Sequence, residues 1–103
     1  MRGHASLLMS AVNYGEVFAV LQRTYGRDRA LSILTTLQPL GIAVEDATRQ
    51  RALSAADIRV RHKLYYADAF AAALAIERKA TLVTSDSDFR RLGHGFPILW
   101  LKP

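Results

Sequence analysis

The chain contains no cysteine, so disulfide bonds and thiolate metal sites are excluded. Its three histidines, His4, His62 and His94, are widely spaced and show no ligand pattern, which argues against a zinc site. No apolar run approaches the ~20 residues that a bilayer-spanning helix needs. The first residues also lack an apolar signal-peptide core of convincing length. These absences predict a cytoplasmic protein with no membrane partner.

Acidic residues are in the minority. Fourteen Lys and Arg residues face nine Asp and Glu residues, which gives a formal net charge of +5. Most of the cations are arginines, whose planar guanidinium group binds phosphate bidentately. Such a charge fits a solvated arginine-rich surface and equally fits an electrostatic footprint for nucleic acid. The charge alone leaves both interpretations open.

The length of 103 residues suits a single domain, and apolar periodicity divides it into short strands and helices. Strands are predicted at residues 7–9, 42–44, 81–84 and 98–101. Helices are predicted at residues 11–25, 28–38, 45–63, 86–92 and from Asp68 onward, the last with Phe70, Ala73 and Ile76 facing the core. Strands separated by helices predict an α/β fold with a mainly parallel sheet and helices on both faces.

Three acidic residues are predicted to meet at one edge of this sheet. Ligands bind outside the carboxyl ends of parallel strands, and Asp86 follows such an end by two residues. Glu16 lies in the first turns of the helix that follows the first strand, and helical side chains lean toward the helix N-terminus. Asp68 opens its own helix, whose start is expected at the same edge. The sequence therefore predicts that Glu16, Asp68 and Asp86 converge.

The other acids fit this edge less well. Asp28, Glu45 and Asp46 look like helix-start residues, where a carboxylate favours the helix dipole. Asp57 and Glu77 lie among arginines in helices and are predicted to be solvated ion-pair partners. Asp88 is ambiguous, because it is near the edge but could simply cap the helix at residues 86–92.

Each of the three chosen acids also has an ordinary structural interpretation. Asp68 and Asp86 could be helix caps, and Glu16 could be a surface carboxylate. However, packed carboxylates repel one another, so a cluster delivered by three different elements is typical of a cation site. Oxygen-only ligands select Mg²⁺ or Mn²⁺ over zinc. A metal beside a basic surface favours phosphodiester hydrolysis as the reaction class.

Three sequence blocks resemble the signature blocks of PIN-domain proteins. They are SAVNYGEV at residues 10–17, YYADAFAAALA at residues 65–75 and ATLVTSDSDFRRL at residues 80–92. The most similar group is the VapC-like toxins of bacterial type II toxin–antitoxin modules. The likeness covers nearly the whole chain in the right order, and the alanine-rich block followed by LVTSDSDF is its most specific part.

The resemblance implies an Mg²⁺-dependent ribonuclease (Mn²⁺ being the alternative metal) whose partners are RNA and a cognate antitoxin. It implies that Glu16, Asp68 and Asp86 are the second, third and fourth acids of a catalytic quartet. Asp88 corresponds to an auxiliary metal ligand. Thr84 and Asn13 correspond to polar residues that support the site.

The chain departs from the family pattern at its start. The resemblance implies a strand carrying the first acid before Leu7, and residues 1–6 supply neither. We therefore expect one PIN-like domain over residues 1–103 that is incomplete at its N-terminus, with weakened metal affinity. Sheet edges left without a partner invite association, so re-pairing of the strands, a homodimer or a higher oligomer is also expected.

The arginines and aromatic residues give further predictions. Arg90 and Arg91 lie near the proposed site and are candidates for contacts with RNA phosphates. Tyr65 and Tyr66 could stack on bases, but packing beside the alanine-rich helix is favoured. Trp100 is interpreted as core or edge cover. Two functions stay open: an active toxin endoribonuclease, and a catalytically impaired domain that binds RNA or an antitoxin without cleaving.

Overall fold

The computed structural model describes residues 6–102, and these residues form two compact units, one ending at residue 46 and one beginning at residue 47. Each unit contains two helices and one pair of parallel strands. The predicted α/β class with parallel strand pairing is therefore confirmed. No helix in the described part of the chain is both long and apolar enough to cross a membrane.

The first unit follows the order strand, helix, helix, strand. Its elements are β1 (Leu8–Ser10), α1 (Ala11–Tyr25), α2 (Arg27–Leu37), a 3₁₀ turn (Gln38–Leu40) and β2 (Ala43–Glu45). The two strands pair in parallel, with Leu8 opposite Ala43 and Ser10 opposite Glu45. Ser10 ends β1 and caps α1, because its buried hydroxyl accepts a hydrogen bond from the Val12 amide at 3.1 Å.

The second unit follows the order helix, helix, strand, strand. Its elements are α3 (Arg49–His62), α4 (Tyr66–Arg78), β3 (Leu82–Thr84), a 3₁₀ helix (Ser87–Leu92) and β4 (Ile98–Trp100). The strands β3 and β4 are parallel, with Leu82 opposite Ile98 and Thr84 opposite Trp100. Helix α4 packs against α3 and β3. Its buried residues are Ala69, Phe70, Ala72, Ala73, Leu74 and Ala75.

The alanines explain how α4 takes this central place in the second unit. Ala69 and Ala72 have no exposed surface, and Ala55 on the facing helix α3 has none either. Small side chains allow helix backbones to approach closely, and interiors of this kind tolerate little change in volume. The helix that carries Asp68 is therefore held by close packing.

Three details of the predicted elements are wrong. Helix α3 begins at Arg49 instead of residue 45, because Glu45 pairs with Ser10 in the β-ladder and Thr48 caps the helix by accepting from the Arg51 amide at 3.2 Å. Helix α4 begins two residues before Asp68. Ile76 is 54% exposed, so it does not belong to the core stripe.

Candidate metal centre

The turn after β3 places Asp86 and Asp88. Thr84 is the last residue of β3, and its hydroxyl accepts a hydrogen bond from the Asp86 amide at 3.0 Å. The Asp86 carboxylate accepts one from the Asp88 amide at 2.9 Å and so caps the 3₁₀ helix. Short polar side chains that bond to nearby backbone amides stabilise tight turns. The segment from Thr84 to Asp88 is thereby held in one local conformation.

Asp68 lies in the first turn of α4. A carboxylate at this place is favoured by the positive end of the helix dipole. The neighbouring Ala69 is fully buried against the rest of the second unit, and Asp68 itself is half-buried. The packing of α4 therefore determines where the Asp68 carboxylate can reach.

These two elements bring three carboxylates together. Asp68, Asp86 and Asp88 each offer an oxygen atom, and the three atoms lie within 4.8 Å of one another. Asp86 is exposed, whereas Asp68 and Asp88 are half-buried. Like charges at this separation repel, and a cation bound among them would relieve this repulsion.

The donor set fits a hard divalent cation. Octahedral Mg²⁺ has oxygen ligands at about 2.0–2.1 Å, which places opposite ligands about 4.2 Å apart. Neighbouring ligands of such an ion are about 2.9 Å apart, so the three oxygen atoms, which lie within 4.8 Å of one another, reach this geometry by closing on the ion. All three donors are oxygen atoms, the ligand type of Mg²⁺ and Mn²⁺. Asp68, Asp86 and Asp88 can therefore hold such an ion, and bound water can complete its coordination shell.

Arg91 supports the turn that carries Asp88. Its Nη1 donates to the Lys63 carbonyl at 3.0 Å, and its Nη2 lies 3.8 Å from an oxygen of Asp88. A ring nitrogen of His62 lies 3.1 Å from the Arg91 carbonyl. Arg91 thus links the 3₁₀ helix to the end of α3. Its predicted contact with RNA remains a prediction.

Arg90 lies in a different environment. Its guanidinium carbon is 5.3 Å from the centre of the Trp100 ring, a cation–π geometry. Trp100 is 40% exposed at the end of β4, so it is not a core residue. The pattern of the sequence gives no sign of this pair. The parallel register that puts Trp100 opposite Thr84 was the missing information.

Asn13 and Glu16 belong to the first unit. Both lie on α1, one turn apart, and Glu16 is exposed while Asn13 is half-buried. They line a shallow groove of about 460 Å³ along α1, together with Val17, Val20 and Arg23 among others. The convergence of Glu16 with Asp68 and Asp86 stays a prediction.

An ion pair joins the two helices of the second unit. Arg51 on α3 donates to both oxygens of Glu77 on α4, from Nε at 3.0 Å and from Nη2 at 2.9 Å. These hydrogen bonds hold the pKa of Glu77 below its ordinary value. Glu77 is therefore an ion-pair partner, as expected. The bidentate geometry gives α4, and with it Asp68, a second attachment to α3.

The two tyrosines at the start of α4 differ. The Tyr66 ring lies 5.1 Å from that of Phe70, and its hydroxyl donates to the Ala52 carbonyl at 3.1 Å. Tyr66 is 39% exposed but packs against α3 and Phe70 at the start of α4, which is the interpretation that the sequence favoured. Tyr65 is 72% exposed.

Comparison with known proteins places the chain in a family. The sequence model of the PIN domain matches residues 2–95. Among solved structures, the chain is similar to a toxin–antitoxin complex from Klebsiella pneumoniae, with a TM-score of 0.59 and 21% sequence identity over 78% of this chain. The match covers 63% of that solved chain, so this chain spans less than two thirds of its length. No match was found among curated proteins. Since the family model covers most of the sequence and the solved structure shares its fold, the chain belongs to the PIN domain family.

Proposed function

We propose that this chain is the toxin of a VapC-like toxin–antitoxin pair and hydrolyses RNA phosphodiesters with the help of Mg²⁺ or Mn²⁺. The observation that carries the proposal is the group of three carboxylates, Asp68, Asp86 and Asp88, in a chain of the PIN family. The cluster offers only oxygen ligands within 4.8 Å, which is the chemistry that these two ions require.

Each residue of the acidic cluster has a proposed role in holding the ion. Asp68 and Asp86 hold the cation, and Asp88 adds a third ligand from the same turn. Thr84 keeps Asp86 in place through the hydrogen bond to its amide. When bound, the ion supplies an activated water molecule and neutralises charge on the phosphodiester. Glu16, with Asn13 one turn before it, is proposed to complete the acidic set.

RNA as the substrate is supported by charge. The chain carries a formal net charge of +5, which attracts a polyanion and raises the rate of encounter. Arg90 and Arg91 follow directly after the acidic turn, in the 3₁₀ helix that Asp86 caps. Both are proposed to lie close to the bound phosphates, and the site of action is proposed to be the cytoplasm.

Partners are proposed on two grounds. The similar solved structure is described as a toxin–antitoxin complex, which favours an antitoxin as a partner here. Many large apolar side chains are exposed, more than scattered single residues on a monomer's surface would suggest. The most exposed include Val20, Leu40, Leu53, Val60, Tyr65 and Leu99. We propose that an antitoxin or a second copy covers part of this surface, and a monomer at high concentration in sedimentation experiments counts against self-association.

RNA cleavage tests the function directly. The wild-type chain is expected to cleave single-stranded RNA with Mg²⁺ or Mn²⁺ and to stop when EDTA removes the ion. Asp68→Asn and Asp86→Asn are expected to lose at least about a hundredfold in rate, because each removes a charged ligand of the ion. Asp57→Asn is the matched control, since Asp57 is an exposed acid on α3 outside the cluster. The control should cleave as the wild type does.

Equal cleavage by all four proteins would overturn the assignment of the site. RNA binding by the wild-type chain without any metal-dependent cleavage would instead favour the second function, a domain that binds RNA but does not cut it. Glu16→Gln belongs in the same series, and an unchanged rate for it would remove Glu16 from the proposed acidic set.

A further inference from the structure

Arg90 and Trp100 form a cation–π pair in the second unit. The guanidinium carbon lies 5.3 Å from the centre of the indole ring. A guanidinium group has five N–H donors, and those that do not point at the ring in a cation–π contact remain free to bind other groups. Across residues 6–102, the contact with Trp100 is the interaction that holds Arg90, and no carboxylate pairs with it.

Three other arginines of the second unit have different partners. Arg91 donates to the Lys63 carbonyl and approaches Asp88. Arg51 is bound by both oxygens of Glu77. Arg59 also lies over a ring, that of Tyr66 at 5.8 Å, but this tyrosine is tied by its hydroxyl to the Ala52 carbonyl and lies against the Phe70 ring. Arg90 is thus an arginine with unused donors beside an aromatic ring that is 40% exposed.

The strand register places this pair beside the acidic cluster. Trp100 is the partner of Thr84 in the parallel ladder, and neighbouring residues in register point to the same face of a strand pair. The Thr84 hydroxyl holds the amide of Asp86, and Arg90 follows Asp86 in the 3₁₀ helix that Asp86 caps. The arginine and the indole are therefore both attached to the elements that carry Asp86 and Asp88.

We infer that Arg90 and Trp100 form a subsite for one nucleotide of single-stranded RNA next to the acidic cluster. The Arg90 guanidinium contacts a phosphate through its free N–H edge, while the exposed part of the indole stacks on the adjacent base. The choice of RNA as the ligand rests on the proposed function, whereas the subsite itself rests on the pair and its position. An unpaired strand is required, because a base within a duplex cannot expose its face to an aromatic ring.

The physical advantage of the pair lies in preorganisation. A long arginine side chain normally loses rotamer freedom when it binds a phosphate. Contact with the ring already restricts Arg90, so less freedom is lost on binding. The fixed positive charge also offsets the repulsion between nearby carboxylates and an approaching phosphate. Trp100 is thus a positioning residue for Arg90 as well as a surface for the base.

The sole tryptophan of the chain makes the inference directly measurable. All intrinsic tryptophan fluorescence comes from Trp100, so a base that stacks on it should quench the signal. The titration uses a single-stranded RNA oligonucleotide and the Asp86→Asn variant in EDTA, so that no cleavage occurs and no metal is needed. Fluorescence anisotropy of a labelled oligonucleotide reports binding independently. Quenching that follows the anisotropy curve is expected, with a duplex of the same sequence quenching less.

Two substitutions complete the test in the same background. Arg90→Gln is expected to weaken binding about tenfold and to reduce the salt dependence of binding by about one counterion. Arg59→Gln is the matched control, because it removes a cation from another ring contact in the same unit, and it should bind as its parent does. Thermal melting of each variant verifies folding. In the wild-type background, Arg90→Gln should raise KM for RNA cleavage more than it lowers kcat.

The results separate this inference from the proposed function. If the wild-type chain does not cleave RNA, but RNA quenches Trp100 fluorescence and only Arg90→Gln weakens binding, the subsite is supported and the nuclease function is rejected. Binding seen by anisotropy without a change in Trp100 fluorescence overturns the subsite, and so does equal binding by Arg90→Gln and Arg59→Gln. Absence of RNA binding also overturns it.

Discussion

Asp86 is both a helix cap and a member of the acidic cluster, and two substitutions separate these roles. Its carboxylate caps the 3₁₀ helix by accepting from the Asp88 amide at 2.9 Å, and it contributes charge to the acidic cluster. Asp86→Asn keeps an oxygen that can accept this hydrogen bond but removes the charge. Asp86→Ala removes both. We therefore predict that the two variants differ in stability but share the loss of metal binding.

The magnitudes follow from the geometry. Two unit charges 4.8 Å apart repel by about 0.9 kcal/mol in water. Asp86→Asn removes the repulsion with Asp68 and with Asp88, and because Asp86 is exposed this repulsion is screened, so without metal the variant should be more stable than the wild type by at most about 1 kcal/mol at low salt. Loss of the cap in Asp86→Ala costs about 1 kcal/mol relative to Asp86→Asn. That difference corresponds to a melting temperature about 4–8 °C lower for a domain of this size.

Thermal melting followed by circular dichroism, with and without Mn²⁺, is the assay. The wild type is expected to gain about 2.7 kcal/mol when Mn²⁺ is present at a hundred times its dissociation constant. Both variants should lose most of this gain. A full metal-induced shift in Asp86→Asn would refute the assignment of Asp86 as a ligand. Equal melting temperatures for the two variants without metal would refute its role as a cap.

Two further predictions concern the packing that carries Asp68. Arg51 lowers the pKa of Glu77, so the ion pair stabilises the fold above the unfolded pKa, and this stabilisation is lost as the pH falls through the lower folded value. Glu77→Gln should therefore have a lower melting temperature than the wild type at pH 7 and the same melting temperature in acid. A difference in melting temperature that persists unchanged at pH 3 contradicts this. Phe70 is buried on α4 against Tyr66, so Phe70→Ala should cost about 3–5 kcal/mol in urea unfolding, and a loss below about 1 kcal/mol would show that its site is not packed as described.

Local signals in the sequence were sufficient for several elements. Helix α1 begins and ends at the predicted residues, because Ser10 is a good N-cap, Gly26 stops the helix and the apolar spacing between them is regular. Asp86 was correctly placed two residues beyond a strand, since β-branched residues and a polar turn mark the end of β3.

Other features depended on partners distant in the chain. Glu45 and Asp46 look like the start of a helix, but pairing with β1 draws Glu45 into a strand and leaves Thr48 as the cap of α3. Ile76 has the spacing of a core residue, yet the face of α4 that meets α3 and β3 leaves it exposed. Local propensity carries no information about which neighbour covers a face.

The amino-acid sequence by itself determined the α/β class, the family and the acidic residues that make a metal site plausible, because helix caps, apolar spacing and motif order are local properties of the chain. The sequence left Asp88 open between an auxiliary ligand and a helix cap, and the tertiary structure brought its carboxylate to those of Asp68 and Asp86, since α4 and the turn after β3 are brought together by packing. It also distinguished Arg90 from Arg91, two adjacent and chemically identical residues. Arg90 contacts the indole of Trp100 on β4, whereas Arg91 donates to the Lys63 carbonyl at the end of α3. Such long-range contacts depend on the folded chain.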